Sequence, residues 1–140
     1  MKAMYTGKAR SHGGRTGQIV AGSGGYELKL AVPREMGGPG GEGTNPEEIF
    51  AGGYAACFHS ALQHVAGESA DLSGSEVHGA VSIGQRENGP GFGLAVTLDV
   101  HLPKVPRAKA EELVAQTHEV CPYSNATRGN VDVTLNVHAA

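Results

Sequence analysis

Two cysteines are the residues of this sequence best suited to covalent chemistry. Cys57 stands in the run Gly52-Gly53-Tyr54-Ala55-Ala56-Cys57-Phe58, and Cys121 lies 64 residues further on in Val120-Cys121-Pro122-Tyr123-Ser124-Asn125-Ala126-Thr127-Arg128-Gly129-Asn130. A single pair does not make a disulfide scaffold. Three readings compete: inert buried packing, a catalytic or redox pair, and part of a metal site. A thiol attacks only as the thiolate, and a neighbouring cation lowers its pKa. Arg15, between Gly13-Gly14 and Gly17, offers a permanently charged planar fork for holding an anion or a carboxylate, against the plainer reading of a solvated turn arginine. His118 and Cys121 have i, i+3 spacing, but with Cys57 they would supply only three ligands, one short of a closed zinc site. A satisfied or exposed His118 is the favoured reading. Gly38-Pro39-Gly40-Gly41-Glu42-Gly43 matches G-x-G-x-x-G literally. No alternating strand runs directly into it and no repeated β-α-β pattern follows, so it reads as a loop beside a site and not as a dinucleotide cradle.

The elements that must position these residues follow from periodicity. The first 31 residues read as short strands broken by turns: a turn over Ser11–Gly17, a strand over Gln18–Ala21, a turn over Gly22–Gly25 and an alternating strand over Tyr26–Leu30. Pro33–Gly43 is a loop. A helix starts at Pro46, capped by Thr44 or Asn45, with Glu47 and Glu48 at the positive end of its dipole; it ends near Val65 or Ala66, with Gly67 as the stop. Its apolar residues cover more than one face, which predicts burial on most sides. Val77–Ile83 and Leu94–Leu102 alternate about a hairpin at Glu87–Gly91. A second helix starts at Pro106 and ends near Cys121, because Pro122 cannot continue it. Val131–Val137 is the last strand. The order predicts an α+β domain with antiparallel-rich sheets and two main helices.

Composition bounds the function. The chain has 140 residues, 39% hydrophobic and 18% charged, with a net charge of −3, which predicts one globular domain over residues 1–140 and excludes a polyanion binder. No apolar run is long enough to span a membrane, and Met1–Thr6 lacks the apolar stretch of a signal peptide, so a cytoplasmic location is expected.

The stretches Thr44–Phe58 and Val120–Asn130 closely resemble organic hydroperoxide resistance proteins of the OsmC superfamily. Gly13-Gly14-Arg15 and the Pro33–Gly38 loop are similar to the same family, and Cys-Pro-Tyr-Ser-Asn-Ala-Thr resembles its hydroperoxide resistance branch. The resemblance implies an intertwined homodimer and a thiol peroxidase that reduces organic hydroperoxides to alcohols. It matches Cys57 to the peroxidatic cysteine, Cys121 to the resolving cysteine, and Arg15 with Glu47 to the polar pair that supports the reactive thiol. The implied reductant is a dihydrolipoyl-type dithiol, and no metal or organic cofactor is implied. Loop position suggests Met36, Phe92 and Tyr123 as neighbours for an alkyl or fatty acyl chain. The alternatives are a non-catalytic thiol switch, a metal-binding module and a peroxidase of the OsmC branch.

Helix rise adds a constraint. Glu47 and Cys57 lie ten residues apart on one predicted helix, about 15 Å at about 1.5 Å per residue. If both serve one site, either the helix breaks at Gly52-Gly53 or the glutamate comes from a second subunit. The mostly apolar helix favours a homodimer with two shared sites.

Overall fold

In the computed structural model, which describes residues 1–140, helix α1 runs over Pro46–Ala66. Its start follows from local chemistry. Asn45 Oδ1 accepts the Glu48 backbone N–H at 2.9 Å, which satisfies a donor left free in the first turn, and Pro46 has no N–H to lose. Gly67 ends it at φ 49, a left-handed conformation that costs glycine little. The helix passes through Gly52-Gly53 unbroken, which removes the broken-helix alternative. Fifteen of its 21 residues are buried or half-buried.

The chain folds as two compact units, Met1–Ile49 and Phe50–Ala140. The first holds an antiparallel sheet in the order β1 (Ala9–His12), β2 (Gln18–Ala21), β3 (Tyr26–Lys29). Ser11 and His12, expected in a turn, belong to β1; every residue of β1 is exposed, so no alternation of hydrophobicity marks it. The chain reverses instead through the 3-10 turn Gly14–Thr16, entered by Gly13 and Gly14 at φ 76 and 56. The Pro33–Gly43 loop contains a second such turn, Arg34–Met36.

The second unit carries β4 (Glu76–Gln85), β5 (Phe92–Leu102), α2 (Arg107–Val120), α3 (Pro122–Thr127) and β6 (Asp132–Ala139). Strands β4 and β5 form the expected hairpin, whereas β6 pairs parallel to β5, the two helices making the crossover that a parallel pair requires. Val96, Leu98, Val100 and Leu102 of β5 turn one face to the core, where Tyr54, Phe58, Leu62 and Ala66 of α1 meet Ala110, Leu113 and Val114 of α2. Truncating Phe58, which has no exposed surface, to alanine costs about 3–5 kcal/mol. Glycine at position 79 lets α1 approach the sheet: a Cβ there would sit 2.6 Å from the Ala51 carbonyl oxygen. The result is the expected α+β fold with two main helices, to which α3 is an addition. Pro122 ends α2 as read, but it also occupies the first position of a new helix.

Candidate active site

Cys57, half-buried on α1, and Cys121, fully buried, place their sulfurs 3.8 Å apart as free thiols. Cys121 sits at the elbow between α2 and α3, with φ −63 and ψ 124, which interrupts the helical path. Its N–H still donates to the Thr117 carbonyl at 2.9 Å, and its own carbonyl accepts from Asn125 N–H at 2.9 Å, so the residue closes one helix and opens the next. Burial pushes the Cys57 thiol pKa up, and neighbouring Cys121 pushes it further the same way; a hydrogen bond from the Tyr123 backbone N–H opposes them. The net direction is upward, so these immediate neighbours disfavour the thiolate.

Three aromatic rings of α1 and α3 pack together. The Tyr123 ring lies 5.7 Å from Tyr54 and 6.2 Å from Phe50, centroid to centroid. It is two-fifths exposed. Gly53 makes room for it, since a Cβ there would approach the Tyr123 hydroxyl to 3.3 Å.

Below the rings runs a hydrogen-bonded chain that sequence reasoning did not find. The buried Tyr54 hydroxyl bonds Ser124 Oγ at 2.8 Å and Thr127 Oγ1 at 3.1 Å, and Ser124 Oγ also bonds His118 Nδ1 at 2.8 Å. No buried side-chain polar atom is left without a partner. The available signal was i, i+3 spacing: Tyr54 precedes Cys57 by three, and His118 and Ser124 flank Cys121 by three on either side. Burial and the nearby Arg128 push the His118 pKa below the usual histidine range, which disfavours the charged imidazolium.

Arg15 and Glu47 form a second cluster, within the first unit. Arg15 Nη1 donates to Glu47 Oε2 at 2.8 Å and Nη2 to Oε1 at 2.7 Å, a two-pronged geometry. Glu47 lies in the first turn of α1, where the helix dipole also favours a carboxylate. The guanidinium hydrogen bonds hold the Glu47 carboxyl below the usual carboxylate range, and those same bonds raise the Arg15 pKa. Met36 is exposed on the Arg34–Met36 turn of this unit. Phe92 and Tyr123, expected in loops, lie instead on β5 and α3; Phe92 is exposed and lines a cavity of about 860 Å³ with Arg86, Leu94 and Asp132, and neither cysteine is in its wall.

Residues 38–136 match the family model described as OsmC-like protein. The organic hydroperoxide resistance protein of Xanthomonas axonopodis pv. citri is 46% identical over 97% of this chain and 96% of its own length. The organic hydroperoxide resistance protein OhrB of Bacillus subtilis is 47% identical over 96% of this chain and 98% of its own. The chain belongs to the OsmC/organic hydroperoxide resistance family. A crystal structure of an organic hydroperoxide resistance protein from Legionella pneumophila has the same fold: TM-score 0.89, 50% identity, 98% of this chain and 99% of that one. The matched OsmC-like region takes in Glu47, both cysteines and Tyr123, while Arg15 and Met36 lie before it and fall within the full-length likeness to the hydroperoxide resistance relatives.

Proposed function

We propose that this chain is a cysteine peroxidase that reduces organic hydroperoxides, alkyl or fatty acyl, to alcohols. The names of its full-length relatives support a role in organic hydroperoxide resistance. The observation that carries the chemistry is the thiol pair: two free sulfurs 3.8 Å apart, one half-exposed and one buried. A half-exposed thiol is open to substrate, and a buried neighbour is placed to react with what the first attack leaves.

The Cys57 thiolate attacks the peroxide oxygen that bears the hydrogen. The O–O bond breaks, the alkoxide leaves and takes a proton as alcohol, and the sulfur is oxidised to sulfenic acid. The Cys121 thiol then attacks that sulfur; the S–S bond forms, the S–O bond breaks and water departs. A lipoyl-type dithiol reopens the disulfide by two exchange steps and is itself oxidised to its cyclic disulfide.

The thiolate needs a cation that its nearest neighbours do not supply. We assign that role to Arg15, held in orientation by Glu47. Because α1 is unbroken, Glu47 and Cys57 of one chain lie about 15 Å apart along its axis. The reading is therefore a homodimer in which Arg15 and Glu47 of one copy serve Cys57 of the other, a two-fold arrangement that makes two equal sites. Tyr123, whose backbone lowers the Cys57 pKa and whose ring packs on Tyr54 of the helix that carries Cys57, is the best supported of the three proposed substrate neighbours; Met36 and Phe92 rest on their sequence positions and apolar character.

Stopped-flow mixing of reduced protein with an organic hydroperoxide, followed by turnover with dihydrolipoamide, tests the reading. Repeated turnover supports an enzyme, and a single oxidation that the dithiol does not convert into turnover supports a thiol switch.

A further inference from the structure

We propose that Tyr54, Ser124 and His118 are positioning residues that hold the Cys121 thiol ready for disulfide closure. On this account they govern the second chemical step and leave the first untouched. The inference rests on the peroxidase reading for its biological meaning, but not for its test.

The geometry is that of a strapped elbow. Cys121 stands at the apex between α2 and α3, the one point in that segment where the backbone leaves helical angles. Backbone bonds at the apex join Cys121 to each helix, to the Thr117 carbonyl on one side and the Asn125 N–H on the other, but no backbone bond crosses from α2 to α3. The bond from His118 Nδ1 on α2 to Ser124 Oγ on α3, 2.8 Å, spans the apex from one side to the other. Arg128, just beyond α3, reaches back to the His118 carbonyl and to Asn125 Oδ1, so the same bend is tied twice. The Tyr54 hydroxyl then fastens α3 to α1 through Ser124 and Thr127. Tyr54 lies one helical turn before Cys57, so the strap joins the elbow carrying one sulfur to the helix carrying the other.

Three properties distinguish this chain from ordinary packing. Its hydroxyls are buried, so water cannot replace a lost partner, and a half-removed chain leaves a donor or acceptor unsatisfied. Ser124 Oγ joins both arms, because it bonds Tyr54 and His118 at the same time. None of the three side chains is hydrogen-bonded to either sulfur, so removing one does not change the chemistry of Cys57 directly.

Closure requires motion. The sulfurs must move from 3.8 Å to about 2.05 Å, a shift of about 1.7 Å. A strapped elbow presents Cys121 within that reach continuously. A loosened one presents it only part of the time, and the closure rate falls by that fraction. In the step itself the Cys121 sulfur bonds to Cys57 sulfur, the bond from Cys57 sulfur to its leaving group breaks, and the thiol proton leaves.

The test uses reduced full-length protein and Ellman's disulfide, which needs no peroxidase activity. Attack by Cys57 releases one coloured thiolate and leaves a mixed disulfide; attack by Cys121 on the Cys57 sulfur releases the second. The first phase should match wild type in Ser124→Ala, Tyr54→Phe and His118→Leu. The second should slow about fivefold to tenfold, as expected for loss of one buried hydrogen bond. His118→Asn, whose amide lies near the position of Nδ1, should restore the second phase.

A parallel reaction with cumene hydroperoxide should show more Cys57 sulfinic acid in the three slowed variants, because the sulfenic acid waits longer for Cys121. Unchanged second phases in folded variants would overturn the proposal, as would both phases falling together, since that reports general loosening. Failure of His118→Asn to rescue would remove His118 from the strap. If wild type shows both phases with Ellman's disulfide but no oxidation by hydroperoxide, the peroxidase reading fails and the strap stands.

Discussion

Mixed dimers test the shared site. The perturbation combines two defective proteins, Glu47→Ala and Cys57→Ser. Glu47 holds Arg15 through hydrogen bonds of 2.7 and 2.8 Å, with the arginine side chain 36% exposed and the glutamate 13%. Charge-assisted bonds are worth about 1.5–3 kcal/mol each, and solvent screening at the exposed arginine brings the expected loss to about 1–2 kcal/mol in all. That corresponds to a loss of about tenfold in rate for Glu47→Ala. Cys57→Ser is expected to be inactive.

In a mixed dimer, one site joins the intact Cys57 of one chain to the intact Glu47 of the other, and its twin carries both defects. Equal amounts exchanged to completion give half mixed dimers, so about a quarter of the wild-type sites return. The assay is the rate of alcohol production before and after subunit exchange, with exchange verified by native mass spectrometry of mass-tagged chains. Verified exchange with no gain above the two parents would refute a shared site, because each mixed site would then keep one defect.

Other expectations follow from the same geometry. Cys57→Ser should abolish turnover, since a hydroxyl without a base is a poor nucleophile, whereas Cys121→Ser should react once and stop at sulfenic acid, read by dimedone labelling and mass spectrometry. Arg15→Ala should raise the Cys57 pKa and slow its oxidation, measured by pH-dependent alkylation, while stability at pH 7 falls by no more than about 1 kcal/mol, the contribution of the pair with Glu47. The folded-state pKa of Glu47 is depressed, so the stability it contributes is complete above the usual carboxylate range and is lost as pH falls from there through the folded-state value. Glu47→Gln should lose about 1 kcal/mol at pH 7 and remove that part of the acid dependence, checked by urea unfolding between pH 7 and pH 3.

The helix carrying Cys57 was legible almost to the residue. Asn45, Pro46, Glu47 and Glu48 announce its start, and Gly67 its end, because each acts through local hydrogen bonds or backbone angles. The alternation in β5 likewise marked its core face, with Val96, Leu98, Val100 and Leu102 all buried. Alternation does not say which way a neighbouring strand runs, so the parallel pairing of β6 was not readable. Nor was β1, whose exposed residues carry no pattern. Pro122 was legible as a stop and missed as a start, because the same fixed φ serves both. For the site, residue types nominated Cys57, Cys121 and Arg15, but their spacing did not reveal that the two sulfurs approach each other, a consequence of how the α2–α3 elbow packs on α1. The Tyr54–Ser124–His118 chain was hidden for the same reason: each member is an ordinary residue until the elbow brings the three together.

The most direct measurement is the number of alcohol molecules formed per chain when reduced protein meets cumene hydroperoxide and an excess of dihydrolipoamide. A peroxidase using Cys57 and Cys121 gives many alcohols per chain, accumulates the Cys57–Cys121 disulfide when the dithiol is withheld, and gives none after Cys57→Ser. One alcohol per chain in the presence of dithiol, or undiminished turnover in Cys57→Ser, would contradict it.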